Sequence, residues 1–319
     1  IDTNITSVNI ADASKQHNLR DYYIMSSYNS CCNGSFKDGY VSINALQDVI
    51  RKGARVLDFE VYNIDKTPVV ASSTSDSFDF KGSYNSIPFK DVVDIISTHA
   101  FSASTCPNFN DPLIIHLRIK TKNANVCESI GKIISGQLDR YRLDNKYDNG
   151  YNIGGTHESL MIEPLENFLG KVIIVTDRSN NSFIGTGLDE VTNMYSSSMF
   201  CQQLRNYDVI YTPSATELID HNKKNTTISM GDLKNTSPDN MDASVHMKLG
   251  CQMICMNFQS VDDHLIFYLE QFNEAGSAFI LKPSQLRYIP VTSKIPKKQN
   301  PELSYAPKVL QKPYFSHKF

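Results

Sequence analysis

The 319-residue chain has no tryptophan, no Cys-x-x-Cys pair and no glycine-rich phosphate loop after its first apolar run. Each absence excludes something. Without paired cysteines at metal or disulfide spacing, neither a zinc site nor a disulfide framework is indicated. The seven cysteines are odd in number, and Cys201, Cys251 and Cys255 lie in apolar surroundings, as buried free thiols do. Without a glycine-rich turn, an open dinucleotide-binding sheet is disfavoured. No apolar run approaches the roughly 18 residues needed to span a bilayer. Ile1–Lys15 does not read as a signal peptide. Net charge is −3, so bulk charge implies no nucleic-acid partner. Sequons at Asn4, Asn33, Asn225 and Asn235 are expected by chance in a chain rich in Asn, Ser and Thr. The expected setting is therefore reducing and intracellular, with no secretion.

What is present centres on Gly53–Asn63, GARVLDFEVYN. It alternates as a buried strand, with Leu57, Phe59 and Val61 on one face and Asp58, Glu60 and Tyr62 on the other. Carboxylates at i and i+2 share a face, with Cα atoms roughly 6.5–7 Å apart. That spacing suits two ligands of one hard cation, two acceptors for one arginine, or a strand with a wet second face.

Similar alternation gives strands at Tyr22–Asn29, Pro68–Ser72, Pro112–Lys120 and Lys171–Thr176. Further strands are expected at Asp208–Thr212, Gly250–Gln259 and Ala278–Lys282. Helical spacing marks Val41–Lys52, Ile87–Phe101, Val126–Leu138 and Val261–Asn273, and extends to Asp189–Leu204. Asn222–Asp242 reads as loop. About eight buried strands alternating with helices predict a TIM-type parallel (β/α)8 barrel, whose chemistry sits at the strand C-terminal ends. Asn29, Asp58, Glu60, His116 and Arg118 would fall there.

The segments SSYNS at Ser26–Ser30, LDFEVYN at Leu57–Asn63, GCQMICMNFQ at Gly250–Gln259 and ILKPSQLR at Ile280–Arg287 resemble phosphoinositide-specific phospholipase C. The resemblance runs from about Leu19 to Arg287. It implies a distorted barrel at 19–290, after an N-terminal extension at 1–18. An X-like half spans 19–138, a linker 139–164 and a Y-like half 165–290. A tail at 291–319 follows.

The resemblance also implies a catalytic set, and this chain departs from it. The family's two acid–base histidines correspond to Tyr28 and Ser72. A tyrosine, with pKa about 10, is a poor proton shuttle at neutral pH. Of the calcium ligands, Asn29 is kept and the acidic pair becomes Asp58 and Glu60. The remaining acidic ligand corresponds to Arg118, and a guanidinium cannot bind calcium. The lysines that hold ring phosphates correspond to Val175 and Asp177. The Arg and Tyr that grip the headgroup correspond to Ile228 and Met230. No catalytic residue, cofactor or bound metal is therefore expected, and Arg118 is expected to pair with Asp58 or Glu60 in place of calcium, or else to turn outward.

Among the other candidates, His116 is expected to fill the barrel as a hydrogen-bonded side chain, and His157 is a displaced base at most. His99, His221, His246, His264 and His317 lack metal spacing. Lys294, Lys297, Lys298, Lys308 and Lys312 make the tail basic. Its Tyr305, Val309, Leu310, Tyr314 and Phe315 suit an extended strap on the barrel or a neighbour.

The expected function is a phospholipase C-like pseudoenzyme acting as a structural component of a larger assembly, partnered by other proteins through the tail. Composition rich in Asn, Tyr, Ile and Lys, without Trp, points to an AT-rich coding genome, such as that of a large DNA virus or a protist, and a component of a large virus particle fits. The alternatives are a phosphoric diester hydrolase with a rearranged site, calcium-dependent in that case, and a module binding phosphoinositide headgroups on a membrane.

Overall fold

The computed structural model describes residues 3–153, 156–157, 159–233, 236–290, 303 and 305–319. Residues 1–288 form one compact unit and 289–319 a second.

Eight parallel strands build the first unit. They are β1 Tyr22–Ser27, β2 Val56–Ile64, β3 Leu113–Ile119 and β4 Val172–Asp177. Then come β5 Met194–Ser196, β6 Cys201–Arg205, β7 Thr226–Met230 and β8 Met253–Met256. Their hydrogen-bonded order is β5-β4-β3-β2-β1-β8-β7-β6. The ladder closes all but the β5–β6 seam, giving a nearly closed TIM-type barrel. Helix α1, Ile43–Arg51, starts where the Ser42 side chain accepts from the Asn44 N–H, and buries Leu46, Val49 and Ile50. It stops before Gly53, whose φ of +90° favours glycine. Helices α2 Phe89–His99 and α3 Ala124–Gln137 follow, each with one apolar stripe on the sheet.

The expected count of eight strands holds, but its membership changes. Thr67–Ala71 is a strand, yet it folds back antiparallel on β2. The two-residue turn at Asp65 and Lys66 has φ of +50° and +64°, which turns a hairpin rather than a crossover. Phe279–Leu281 likewise runs antiparallel on the first half of β1.

Three barrel strands lie where loop or helix was expected. The 189–204 segment is helical only in α4, Gly187–Val191; β5 and β6 follow. Asn193 breaks the helix by accepting from the Ile174 N–H at 2.8 Å, which draws β5 alongside β4. The segment 222–242 contains β7. Conversely, Asp208–Thr212 is not a strand. It lies in and just beyond α5, Asn206–Ile210, where the Asp208 carboxylate accepts from the Arg205 N–H at 2.9 Å. Helices α6 Ala215–Lys224, α7 Ala243–Lys248 and α8 Asp263–Ala275 complete the ring.

The linker is packed rather than loose: Tyr147, Tyr151, Leu160 and Met161 are buried. The N-terminal extension is also pinned, with Ile5 and Val8 buried and the Val8 N–H on Asp111 Oδ1 at 2.6 Å. In the second unit, Val309–Lys312 and Phe315–Lys318 pair antiparallel. The tail end thus forms a hairpin rather than a single extended strap. Lys294, Lys297 and Lys298 lie outside the described residues.

Candidate functional site

Strand register places the site. Asp58 on β2 pairs with His116 on β3, and Glu60 pairs with Arg118. Parallel neighbours in register share a face, so all four side chains point to the barrel interior. None is more than 1% exposed.

Arg118 occupies the centre of this group. Its Nε donates to Asp58 Oδ1 at 2.9 Å and its Nη2 to Asp58 Oδ2 at 2.7 Å, a bidentate fork. Its Nη1 donates to Glu60 Oε1 at 2.6 Å, and Nη2 also reaches Asn29 Oδ1 at 2.9 Å. The Tyr28 ring lies against the guanidinium, 4.7 Å from centroid to Cζ. The backbone N–H of Asn29 donates to Asp58 Oδ2 at 3.0 Å, and the Tyr62 hydroxyl to Glu60 Oε2 at 2.7 Å. Every oxygen of both carboxylates has a partner. Burial alone would push Asp58 toward its neutral form. Arg118 and the hydrogen bond from His116 outweigh it and hold the carboxyl below the usual range. Burial likewise opposes the Arg118 charge, but Asp58, Tyr28 and Glu60 lift its pKa well above the ordinary value.

His116 bridges onward. Its Nδ1 lies 2.8 Å from Asp58 Oδ1 and its Nε2 2.8 Å from Ser196 Oγ on β5. The order Ser–His–Asp is that of a nucleophilic triad. Here, however, Ser196 is fully buried, and its hydroxyl also reaches Gln203 Oε1 at 3.3 Å. A nucleophile must meet its substrate, and this hydroxyl faces packed side chains.

The residues expected to stand in place of the two family histidines are equally closed. Tyr28 is buried, which raises its pKa, and its hydroxyl accepts from Arg205 Nη1 at 3.3 Å. The Ser72 hydroxyl donates to the Phe36 carbonyl at 3.0 Å. Of the residues expected at the phosphate-lysine positions, Val175 is buried, and Asp177 accepts from Ser197 Oγ at 2.7 Å and Ser179 Oγ at 2.8 Å. Ile228 and Met230, expected at the headgroup positions, are fully buried in the core. The His157 side chain lies outside the described part.

The model for the phosphatidylinositol-specific phospholipase C X domain matches residues 15–178, and that for the Y domain matches 172–285. The chain belongs to the phosphatidylinositol-specific phospholipase C family. Two crystal structures share its fold. PLC21 of L. pealei superposes with a TM-score of 0.72 at 17% identity, covering 90% of this chain and 39% of that one. PLC21 of S. officinalis gives 0.70 at 16%, with the same coverage of 90% and 39%. This chain thus spans well under half of either protein. No curated protein matches it in sequence.

The family's calcium does not fit these residues. Calcium takes six to eight oxygen ligands. Here the Asn29 amide oxygen, both Asp58 oxygens and one Glu60 oxygen already accept from a guanidinium. A second cation there would face Arg118 directly. Among the described residues, no group of three or more His, Cys, Asp or Glu is placed to hold a metal.

Above the network lies a cleft of about 290 Å3, lined in part by Asp76, Lys120, Asp177 and Arg205. Lys120 Nζ sits 3.3 Å from Asp76 Oδ1. Lys120 continues the alternation of His116 and Arg118, so its direction was readable. Arg205 and Gln203 were missed because their polar run, QQLR, carries no strand signal.

Proposed function

We propose that this phospholipase C-family chain is catalytically inactive and serves as a structural or scaffolding component of a larger assembly. The observation that carries the reading is Arg118, which fills the place of a cation among Asn29, Asp58 and Glu60. Tyr28 and Ser72, both tied into the packing, stand where acid–base groups are needed. The tryptophan-free, Asn- and Lys-rich composition fits an assembly of the large-DNA-virus kind. Partners would be other proteins of that assembly, engaged in part through residues 291–319. The test is phosphatidylinositol hydrolysis with and without calcium. No turnover above a buffer blank is expected in either. Turnover lost on substituting Tyr28 or His157 would refute the reading. Deleting the tail should abolish co-purification of partners.

One observation favours a second reading, headgroup binding without turnover. Lys120 and Arg205 line the cleft, and such cations suit phosphate oxygens. Flotation with phosphoinositide vesicles separates the two.

A further inference from the structure

The terminal hairpin, Val309–Lys312 and Phe315–Lys318, is exposed along both strands. A two-stranded hairpin is marginal in water unless something covers one of its faces. Its register sorts the side chains. Leu310 pairs with His317 and Lys312 with Phe315, so these four share one face; Val309, Gln311, Ser316 and Lys318 take the other. Phe319 extends the first face, its ring 5.7 Å from that of His317. Leu310, Phe315 and Phe319 are 41%, 57% and 64% exposed. This face is apolar and aromatic with a lysine at its edge, and residues 303–319 contain no Asp or Glu.

Charge selects the partner. Residues 289–319 hold six lysines and one glutamate, a net +5 within a chain of net −3, so residues 1–288 carry −8. The tail is thus complementary in charge to a barrel of its own kind. On the barrel, Tyr207, Ile210 and Tyr211 lie at i, i+3 and i+4 in and just after α5, and are 63%, 44% and 67% exposed. The two tyrosine rings are 4.7 Å apart. Val209 is the buried side of this short helix, so the outward apolar stripe serves no core. Carboxylates flank the stripe. Asp208 stands three residues before Tyr211, and Asp232 Oδ1 accepts from the Tyr207 N–H at 2.8 Å. An aromatic stripe rimmed by aspartates matches an apolar face edged by lysine. The aromatic pair Tyr40 and Tyr84, 5.3 Å apart, has instead a lysine against it, with Lys81 Nζ on the Tyr84 carbonyl at 2.9 Å, and suits the hairpin less.

We propose that the hairpin of one copy docks on the α5 stripe of a second copy, a contact that rests on the scaffolding reading above for the tail's role and names its partner. Hairpin and stripe are different surfaces, so the contact is heterologous and repeats into rings or filaments. Four residues at about 3.4 Å each make a face only about 14 Å long, so association is weak and grows with concentration. Multi-angle light scattering on the full chain tests it. The native protein should rise above the monomer mass as concentration increases and fall back in about 1 M salt, where the screening length is about 3 Å. A tail variant, Leu310→Glu with Phe315→Glu, and a barrel variant, Tyr207→Arg with Tyr211→Arg, should each stay monomeric, with circular dichroism confirming that both fold. Mixed in equal amounts the two should form a dimer, since each keeps the half of the contact that the other has lost. A native protein that is monomeric at every concentration, association indifferent to salt, association unchanged in either variant, or a mixture that stays monomeric would each overturn the self-docking. The scaffolding reading fails separately, by phosphatidylinositol turnover.

Discussion

Arg118 donates to both carboxylate oxygens of Asp58, through Nε at 2.9 Å and Nη2 at 2.7 Å, and neither residue is more than 1% exposed. Removing one partner of such a pair strands the other charge in a low dielectric. Glu60 would be stranded as well, since its Oε1 also takes its hydrogen bond from Arg118. Arg118→Met is therefore expected to lower stability by about 3–5 kcal/mol, read from the midpoint and slope of urea unfolding. Arg118→Lys should not restore it, because one ammonium cannot reproduce the fork. A methionine variant as stable as the native protein would show that the pair is not holding the mouth together.

The same arrangement makes a statement about calcium. A ligand that binds only the folded state raises its stability by RT ln(1 + [L]/Kd). With the acceptors of Asn29, Asp58 and Glu60 taken by Arg118, calcium has no such site here. Thermal melts in millimolar calcium and in chelator should superimpose. A calcium-dependent rise in Tm, lost in Asp58→Asn, is the result that contradicts the substitution.

The site was legible in the sequence to the extent that it rests on strand alternation. LDFEVYN and LIIHLRI place Asp58, Glu60, His116 and Arg118 on inward faces by period two alone. Arg118 was expected to take one carboxylate; the register, which no single strand reveals, gives it both and Asn29 too. The strands β5, β6 and β7 were illegible for a physical reason. They are short and carry polar residues, and in β7 tertiary hydrogen bonds satisfy two of the buried ones, Thr227 Oγ1 to Asn222 Oδ1 at 2.6 Å and Thr226 Oγ1 to the Phe200 carbonyl at 3.1 Å. Such strands show no hydrophobic run, while DVIYT shows one yet lies in and just beyond α5, whose first turn the Asp208 carboxylate caps.

Lys282, in the ILKPSQLR segment, yields a pH prediction. It is almost fully buried, and its ammonium donates to the Asn222 carbonyl at 2.8 Å. Burial lowers its pKa to about 7 from 10.5, and the attraction of Asp21 only partly opposes this. Between those values the unfolded chain holds a proton that the folded chain has released. The unfolded state then binds more protons, so stability from this group rises with pH from about 7 and is lost as pH falls through that window. Stability of the native protein minus that of Lys282→Met should therefore increase between pH 7 and 8.5, the thiols and phenols common to both proteins cancelling in the difference. A difference that stays flat or falls across that interval counts against a depressed lysine.

The last prediction concerns the Ser196–His116–Asp58 relay, whose two links are each 2.8 Å. Two roles are open to such a chain of hydrogen bonds. As a nucleophilic device it needs an exposed hydroxyl and donors for an oxyanion. As a packing device it needs only that every buried nitrogen and oxygen find a partner. Ser196 has no exposed surface, and Asp58 is shared with Arg118, which keeps the carboxylate committed to a fixed cation rather than to the imidazole alone. The packing role follows. Ser196→Ala should cost about 1–3 kcal/mol by leaving His116 Nε2 unpartnered. A fluorophosphonate probe, which reacts with activated serine hydroxyls, should leave the native protein unlabelled. Stoichiometric labelling that disappears in Ser196→Ala would reverse the assignment and make the relay a working nucleophile.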